Sequence, residues 1–286
     1  MSNSHDATTE RFIAFVVPVR PLRGSSIAED VLALLSSTIR SVIAQSDPNW
    51  RLLLISSEEL ELNVSDERII NIIAADGLKR VASNTEEAYG DMHLKRFVGS
   101  RQALKIGASH IMFLDADDLI NRHITEYVNR HGCHRSYLGS KGWEVMGKMR
   151  RAFYRRSRFA ARCGTCAIVS RQLMSSEKFC GSTNVDIGRF YHHTFIASLL
   201  DAGASELPFP MAVYRTDHSA NFTFGKKDIG GLFGIVRNGP FIVRRFLKVV
   251  RSVPYGDNLR HEFGDQRRSR DSMEIALKKM PTNTLH

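Results

Sequence analysis

The sequence predicts an α/β protein built on a mainly parallel sheet with helices on both faces. Three observations carry that expectation. Apolar runs of strand length, Phe12–Val19, Leu52–Ile55, Arg68–Ala75 and Ile111–Leu114, show no polar alternation, as strands buried on both faces do not. Helical patterns separate several of them, the order expected of βαβ units. The 286 residues, 43% of them hydrophobic, supply enough apolar material for a full core.

The opening run FIAFVVPV is β-branched and aromatic and is closed by Pro18 and Pro21, so it reads as a fully buried strand. Residues Ile27–Gln45 carry Val31, Leu34, Leu35, Ile39, Val42 and Ile43 at helical spacing before the breaker Asp47-Pro48. A second helix is expected from about Met92 to Ile106, ended by Gly107. The strand Ile111–Leu114 then delivers Asp115-Ala116-Asp117-Asp118.

The second half is less regular. Residues 141–162 hold eight Lys and Arg residues around Trp143, Phe153, Tyr154 and Phe159, the composition of an exposed or partner-facing segment. Cys163–Val169 reads as a strand returning to the sheet, and Tyr191–Leu200 as a helix stopped by Gly203. Leu207–Tyr214 contains Pro208 and Pro210 and is expected at a sheet edge, because proline cannot donate a ladder bond. Pro240–Val253 is expected to form a C-terminal amphipathic helical extension. Ile242, Val243, Phe246, Leu247, Val249, Val250 and Val253 share one side, with Arg244, Arg245, Lys248 and Arg251 on the other. The expected division is a loose terminus at 1–11, a first half at 12–128, a second half of the same domain at 129–228, and a basic helix with a polar tail at 229–286.

Forty basic against thirty acidic residues give a formal charge of +10, which favours anionic partners. No run reaches the ~18 uncharged apolar residues of a membrane span. The polar, acid-containing start MSNSHDATTERF is the reverse of a secretory leader. Four cysteines are too sparse for a disulfide scaffold in a chain of this length. A cytoplasmic protein with reduced thiols is expected, and the amphipathic helix adds a peripheral position on an anionic inner membrane face. Docking of that helix on the protein's own core is the equal alternative.

The chemistry concentrates in FLDADD, Phe113–Asp118. In open α/β sheets ligands bind outside the carboxyl ends of the strands, so carboxylates delivered there meet the ligand. Three acids within four residues repel one another, and hard cations such as Mg²⁺ or Mn²⁺, held by one or two carboxylates plus substrate phosphates, relieve that repulsion. The competing reading is an acidic turn that caps the next helix through Asp118 or Asn121.

The succession FVVPVRP, SVIAQSDPNWRLLLIS and KRFVGSRQALKIGASHIMFLDADD resembles the nucleotide-binding half of GT-A-fold glycosyltransferases of family 2, over about residues 12–128. The resemblance implies a Rossmann-like fold, a nucleoside-diphosphate sugar donor, Mn²⁺ or Mg²⁺, and single displacement with inversion. It places Pro18 and Arg20 at the donor site. It makes Asp115 and Asp117 the DxD element, with Asp117 on the metal and diphosphate and Asp115 at the ribose and metal; Asp118 would neighbour the acceptor or the sugar. Arg101 would face the nucleotide, with Lys95 as a second phosphate cation. Two departures stand out: Ser56-Ser57 occupies the place of the family's acidic pair, and Ser100-Arg101-Gln102 that of its Ala-Arg-Asn.

In the family a carboxylate opens a helix in the second half and acts as base. Here His192 and His193 occupy that region, with Asp186 upstream; a neutral imidazole with an ordinary pKa of ~6.5 suits a base, and the three remain alternatives. The segment AVYRTDHSANFTF resembles a family loop over the diphosphate, which makes Arg215 a phosphate cation and His218 a further metal ligand. A glycan or lipid-linked acceptor in cell-surface polysaccharide or lipid-linked glycan assembly is implied.

Other motifs are set aside. Cys163-Gly-Thr-Cys166 lacks a second CxxC, and His131, Cys133 and His134 lie at no known zinc spacing, so buried thiols are expected. No phosphate-loop or dinucleotide fingerprint occurs. The cations Lys148, Arg150, Arg151, Arg155, Arg156 and Arg158 would suit a nucleic-acid-binding protein, but no recognition motif accompanies them and no nucleic-acid partner is expected. A catalytically inactive sugar-nucleotide-binding scaffold is the nearer alternative to a transferase.

Overall fold

The computed structural model describes residues 11–62, 64–132, 134–146, 150–181, 190–216 and 250–265, and the backbone of 275–277. Fourteen strands are present among these residues. In chain order they are β1 (Ile13–Pro18), β2 (Trp50–Ser56), β3 (Leu60–Leu62), β4 (Ile69–Ile73), β5 (His110–Phe113), β6 (Leu119–Ile120) and β7 (Tyr137–Leu138). Then come β8 (Gly142–Met146), β9 (Arg151–Arg155), β10 (Ala167–Ser170), β11 (Ser205–Glu206), β12 (Ala212–Thr216), β13 (Val253–Pro254) and β14 (Ile275–Leu277). The α-helices are α1 (Ala28–Ile43), α2 (Thr85–Lys105), α3 (Ile124–His131), α4 (Arg171–Met174), α5 (His192–Asp201) and α6 (Asp257–Glu262).

The main sheet has the order β11-β7-β10-β5-β1-β2-β4. Its centre, β5-β1-β2-β4, is parallel. The period of two along β1 splits the core: Ile13, Phe15 and Val17 pack with Val31, Leu35, Ile39 and Val42 of α1. Ala14 and Val16 pack on the other side with Ala103 of α2 and with Phe195 and Leu199 of α5. Helices thus cover both faces. The sheet is mixed, however, because β10 runs antiparallel to both β5 and β7. The stretch Cys163–Val169 does return to the sheet as expected, in the opposite sense.

A second sheet, β13-β9-β8-β12-β6, corrects two expectations. Strands β8 and β9 pair antiparallel with Glu144, Val145, Met146 and Ala152 buried, where an exposed or partner-facing segment was expected; Arg150, Arg156 and Arg158 are exposed. Two of the arginines have partners: Arg155 pairs with Glu144 on the neighbouring strand, and Arg151 Nε donates to Ser252 Oγ at 2.7 Å. Strand β12 lies inside this sheet, parallel to β8 and antiparallel to β6, since Pro208 and Pro210 precede the strand and cost it no ladder bond.

Helix α2 begins seven residues earlier than its apolar pattern suggests, because Asn84 caps it by accepting from the Glu87 amide at 2.9 Å. It also lies close to the sheet: a Cβ on Gly99 would come within 2.4 Å of Val16 Cγ1. Among the described residues no helix is long and apolar enough to cross a membrane. Most of the amphipathic segment 240–253 lies outside the described residues, as do Asp186, His218, Cys133 and Lys148.

Candidate active site

The carboxyl ends of β1 and β5 open into a cavity of about 490 Å³. Pro18 ends β1 and Arg20 follows it into the wall, Asp115 and Asp117 follow β5, Asp91, Lys95 and Arg96 come from α2, and His192 and His193 open α5. Parallel strands make this location: adjacent strands ending side by side leave a crevice that their following loops line.

The Asp115–Asp118 loop is fixed from two sides. Beneath it, the Thr38 hydroxyl of α1 sits 3.0 and 2.8 Å from the carbonyl oxygens of Ala116 and Asp118, and Arg215 Nε donates to the Asp117 carbonyl. From the opposite side, the Asp115 amide donates to Thr165 Oγ1 at 2.9 Å. Its carboxylate takes a 2.8 Å charge-assisted bond from Arg96 Nη2. Gly164 permits that approach, since a Cβ there would stand 2.3 Å from Asp115 Oδ2. The Cys-Gly-Thr-Cys turn therefore serves the acidic loop through Cys163, Gly164 and Thr165. Cys163 and Cys166 are buried free thiols, with burial the main reason their pKa values rise.

The three acids separate into different environments. Asp115 and Asp117 face the cavity. Asp118 is fully buried and turned away, accepting from Cys163 Sγ at 3.2 Å and from the Arg215 amide at 3.4 Å. Burial, reinforced by Asp117 and Asp115, pushes its carboxyl well above the usual range. A donor-facing position for Asp118 is thus replaced by one under the loop.

The cations are also redistributed. Arg20 lies in the wall, its pKa lowered by burial and raised by Asp117. Lys95 is in the wall, but its ammonium is spent on Asp91 Oδ2 at 2.6 Å and the Val19 carbonyl at 2.9 Å. Burial lowers its pKa, and Asp91 and Glu58 oppose that shift. Arg101 is exposed and rests over Phe97. Five residues of helix turn the chain by about 140° from Arg96, and it is Arg96 that meets the cavity. Arg215 sits behind the acidic loop, its Nη2 donating to the Leu34 carbonyl at 3.0 Å, so its charge acts on that loop from below. Arg162 adds a further wall cation. Neither Arg96 nor Arg162 stands out in the sequence, where each is one arginine among many.

His192 is half-buried beside the Ala160 backbone. Burial is the main cause of its lowered pKa, with Arg96 lowering it further and Asp115 opposing. His193 is exposed, with its ring centroid 5.6 Å from that of His192.

The oxygen donors suit a hard divalent cation. Among the described residues no group of three or more His, Cys, Asp or Glu could hold a metal. Asp117, with Asp115 beside it, instead offers the one or two carboxylates that Mg²⁺ or Mn²⁺ takes when phosphate oxygens complete its shell.

No family model and no curated protein matches the chain. Among solved structures, the chain is similar to residues 1–349 of TarS from S. aureus. With the UDP complex the identity is 13% and the TM-score 0.46, over 72% of this chain and 61% of that one. With the UDP-GlcNAc complex these are 13% and 0.46, over 75% and 61%. Similarity to the glycosyltransferase GlyE of Streptococcus pneumoniae is 10% identity and a TM-score of 0.39, over 86% and 66%. The chain thus spans about three fifths of the TarS fragment. At such identities the likeness is of backbone course and assigns no residue a role.

Proposed function

We propose that the chain is a divalent-metal-dependent, inverting glycosyltransferase that moves a sugar from a nucleoside-diphosphate sugar to an acceptor hydroxyl. The observation that carries this reading is the cavity at the ends of β1 and β5. It is lined by Asp115 and Asp117, by Arg20, Arg96 and Arg162, and by His192 at the start of α5. Fixed cations and carboxylates at the ends of parallel strands suit a polyanionic diphosphate bound with a cation.

Each residue then has a defined task. Asp117, with Asp115, would hold Mn²⁺ or Mg²⁺, which supplies Lewis-acid stabilisation of the departing diphosphate. Arg20 and Arg96 bind the nucleotide's phosphates, and Arg96 also orients Asp115 through its 2.8 Å bond. His192 takes the proton of the acceptor hydroxyl on a ring nitrogen. The acceptor oxygen bonds to the anomeric carbon as the bond to the diphosphate oxygen breaks, and the electron pair leaves with the diphosphate. One displacement gives inversion. His192 is favoured over His193 because it is half-buried and within the field of Asp115 and Arg96, whereas His193 is exposed. A glycan or lipid-linked acceptor at a cytoplasmic membrane face remains part of the proposal.

Thermal melting against UDP, GDP, CDP and their sugars, each with and without Mn²⁺, tests the reading, since a ligand bound only by the folded state raises the melting temperature by mass action. A rise with one nucleotide that requires Mn²⁺ is expected. No rise with any of them overturns the proposal.

A further inference from the structure

The turn beside the proposed base is rich in arginine. After β9 the chain passes Arg156 and Arg158, closes a single 3₁₀ turn over Phe159–Ala161 and reaches Arg162. The turn is anchored from below. Phe159 is fully buried, its amide donates to the Ser140 carbonyl at 3.0 Å, and a Cβ on Gly142 would come within 2.5 Å of its ring. The arginines stay open to water: Arg156 and Arg158 are exposed, and the Arg162 side chain is 52% exposed. Ala161 and Arg162 line the cavity, and the Ala160 backbone lies beside His192.

Positive charge is in excess there. Arg155 Nε pairs with Oε1 of the buried Glu144, and Arg162 Nε stands 3.9 Å from the same oxygen. One carboxylate cannot neutralise two guanidiniums, and no Asp or Glu among the described residues forms an ion pair with Arg156 or Arg158. Arg158 also holds a φ of 56°, a left-handed conformation that a non-glycine residue rarely adopts. Such outliers gather at ligand sites, and like charges fixed on one short turn repel unless an anion lies among them.

We infer that Arg155, Arg158 and Arg162 form an anion subsite on the acceptor side of the cavity, and that the acceptor is a glycan carrying a phosphate near its reactive hydroxyl. Three guanidiniums against the single Glu144 carboxylate leave an excess that a phosphate monoester or diester fills, and the guanidinium fork fits phosphate oxygens. The donor's phosphates have Arg20 and Arg96, which come from other elements, so Arg162 is left without a task at the donor. Position assigns it to the acceptor instead: the acceptor hydroxyl must reach His192, and His192 rests beside the backbone of this same turn. A soluble phosphoglycan and a sugar joined to a lipid through phosphate present the same group. This inference deepens the transferase reading and rests on it for the word acceptor; the anion subsite itself does not depend on it.

The test titrates the full chain by calorimetry, with UDP and Mn²⁺ present to fill the donor site. The probes are glucose 1-phosphate and its octyl phosphodiester, with methyl glucoside as the neutral control. Both phosphates should bind at least tenfold more tightly than the control, and the tighter of the two tells a soluble from a lipid-linked source. Arg158→Gln and Arg162→Gln should each weaken the phosphates about tenfold, whereas Arg158→Lys, which keeps the charge, loses less. Melting curves show that each variant is folded. Equal affinity for methyl glucoside and glucose 1-phosphate overturns the inference. So does phosphate binding that falls in Arg20→Gln but survives in the Arg158 and Arg162 variants, since the phosphate then lies at the donor site. Binding of a single-stranded oligonucleotide, or pelleting with phosphatidylglycerol vesicles, that needs both arginines while the sugar phosphates do not bind would also overturn it. Sugar-phosphate binding that depends on Arg158 and Arg162 in a chain that binds no nucleotide would leave the anion subsite standing and remove the transferase reading alone.

Discussion

Replacing Gly164 by alanine tests whether the acidic loop is held in one geometry. The new Cβ would stand 2.3 Å from Asp115 Oδ2 and 3.1 Å from Arg96 Nη2. Ordinary contact begins near 3.4 Å, so one partner must move by about 1 Å. Asp115 cannot swing aside freely, because its other oxygen is bonded to Arg96 at 2.8 Å and the Arg96 side chain is only 4% exposed. Overpacking at a tight site costs about 1–3 kcal/mol. In a domain of this size that is roughly 2–4 °C of melting temperature per kcal/mol. A carboxylate displaced by about 1 Å should lower turnover on the order of 100-fold. The matched control is Gly90→Ala on α2, where nothing lies within 4 Å of the added Cβ and the helical gain should stabilise by about 0.5–1 kcal/mol. Differential scanning calorimetry gives the stability of both variants, and titration of UDP with Mn²⁺ gives the affinity. A Gly164→Ala protein with wild-type melting and wild-type nucleotide affinity would refute the idea that this glycine exists to admit Asp115.

Asp117→Asn should remove the metal dependence of nucleotide binding while leaving the melting temperature of the free protein within about 2 °C, as calorimetric titrations with and without Mn²⁺ would show. His192→Ala should lower turnover by about 10²–10⁴ at unchanged donor affinity, and an equal loss in His193→Ala with none in His192→Ala would transfer the base to His193. Because burial lowers the pKa of His192, the acidic limb of the rate profile should fall below the ordinary ~6.5 of histidine. His93 has a folded pKa of about 3, so between that value and ~6.5 the unfolded chain binds the extra proton and stability rises with pH. Its contribution is complete above ~6.5 and is lost, at up to about 1.4 kcal/mol per pH unit, as pH falls through that window. His93→Phe should flatten this slope relative to wild type in denaturant titrations between pH 4 and 7.

The sequence by itself determined the parallel centre of the fold and the location of its acids. β1, β2 and β5 are legible because a strand buried on both faces must be apolar throughout, and the loop after β5 is legible because acids concentrated at a strand end are costly without a ligand. Tertiary structure decided which charged groups meet. Helix α2 buries Asp91, His93, Lys95, Arg96 and Ser100, so it lacks the apolar stripe from which its inward face could be read, and nothing local distinguishes Arg96 from Arg101. The fates of Asp118, Arg215 and the Cys-Gly-Thr-Cys turn depend on partners far away in the chain: Cys163 for Asp118, Leu34 for Arg215, and the Asp115 amide for Thr165. In the basic pair of strands β8 and β9, Ser252 meets Arg151 from far along the chain, whereas Glu144 meets Arg155 across the pair itself. Hydrophobic period is written along the chain, whereas charge pairing is written between segments, and only folding brings those segments together.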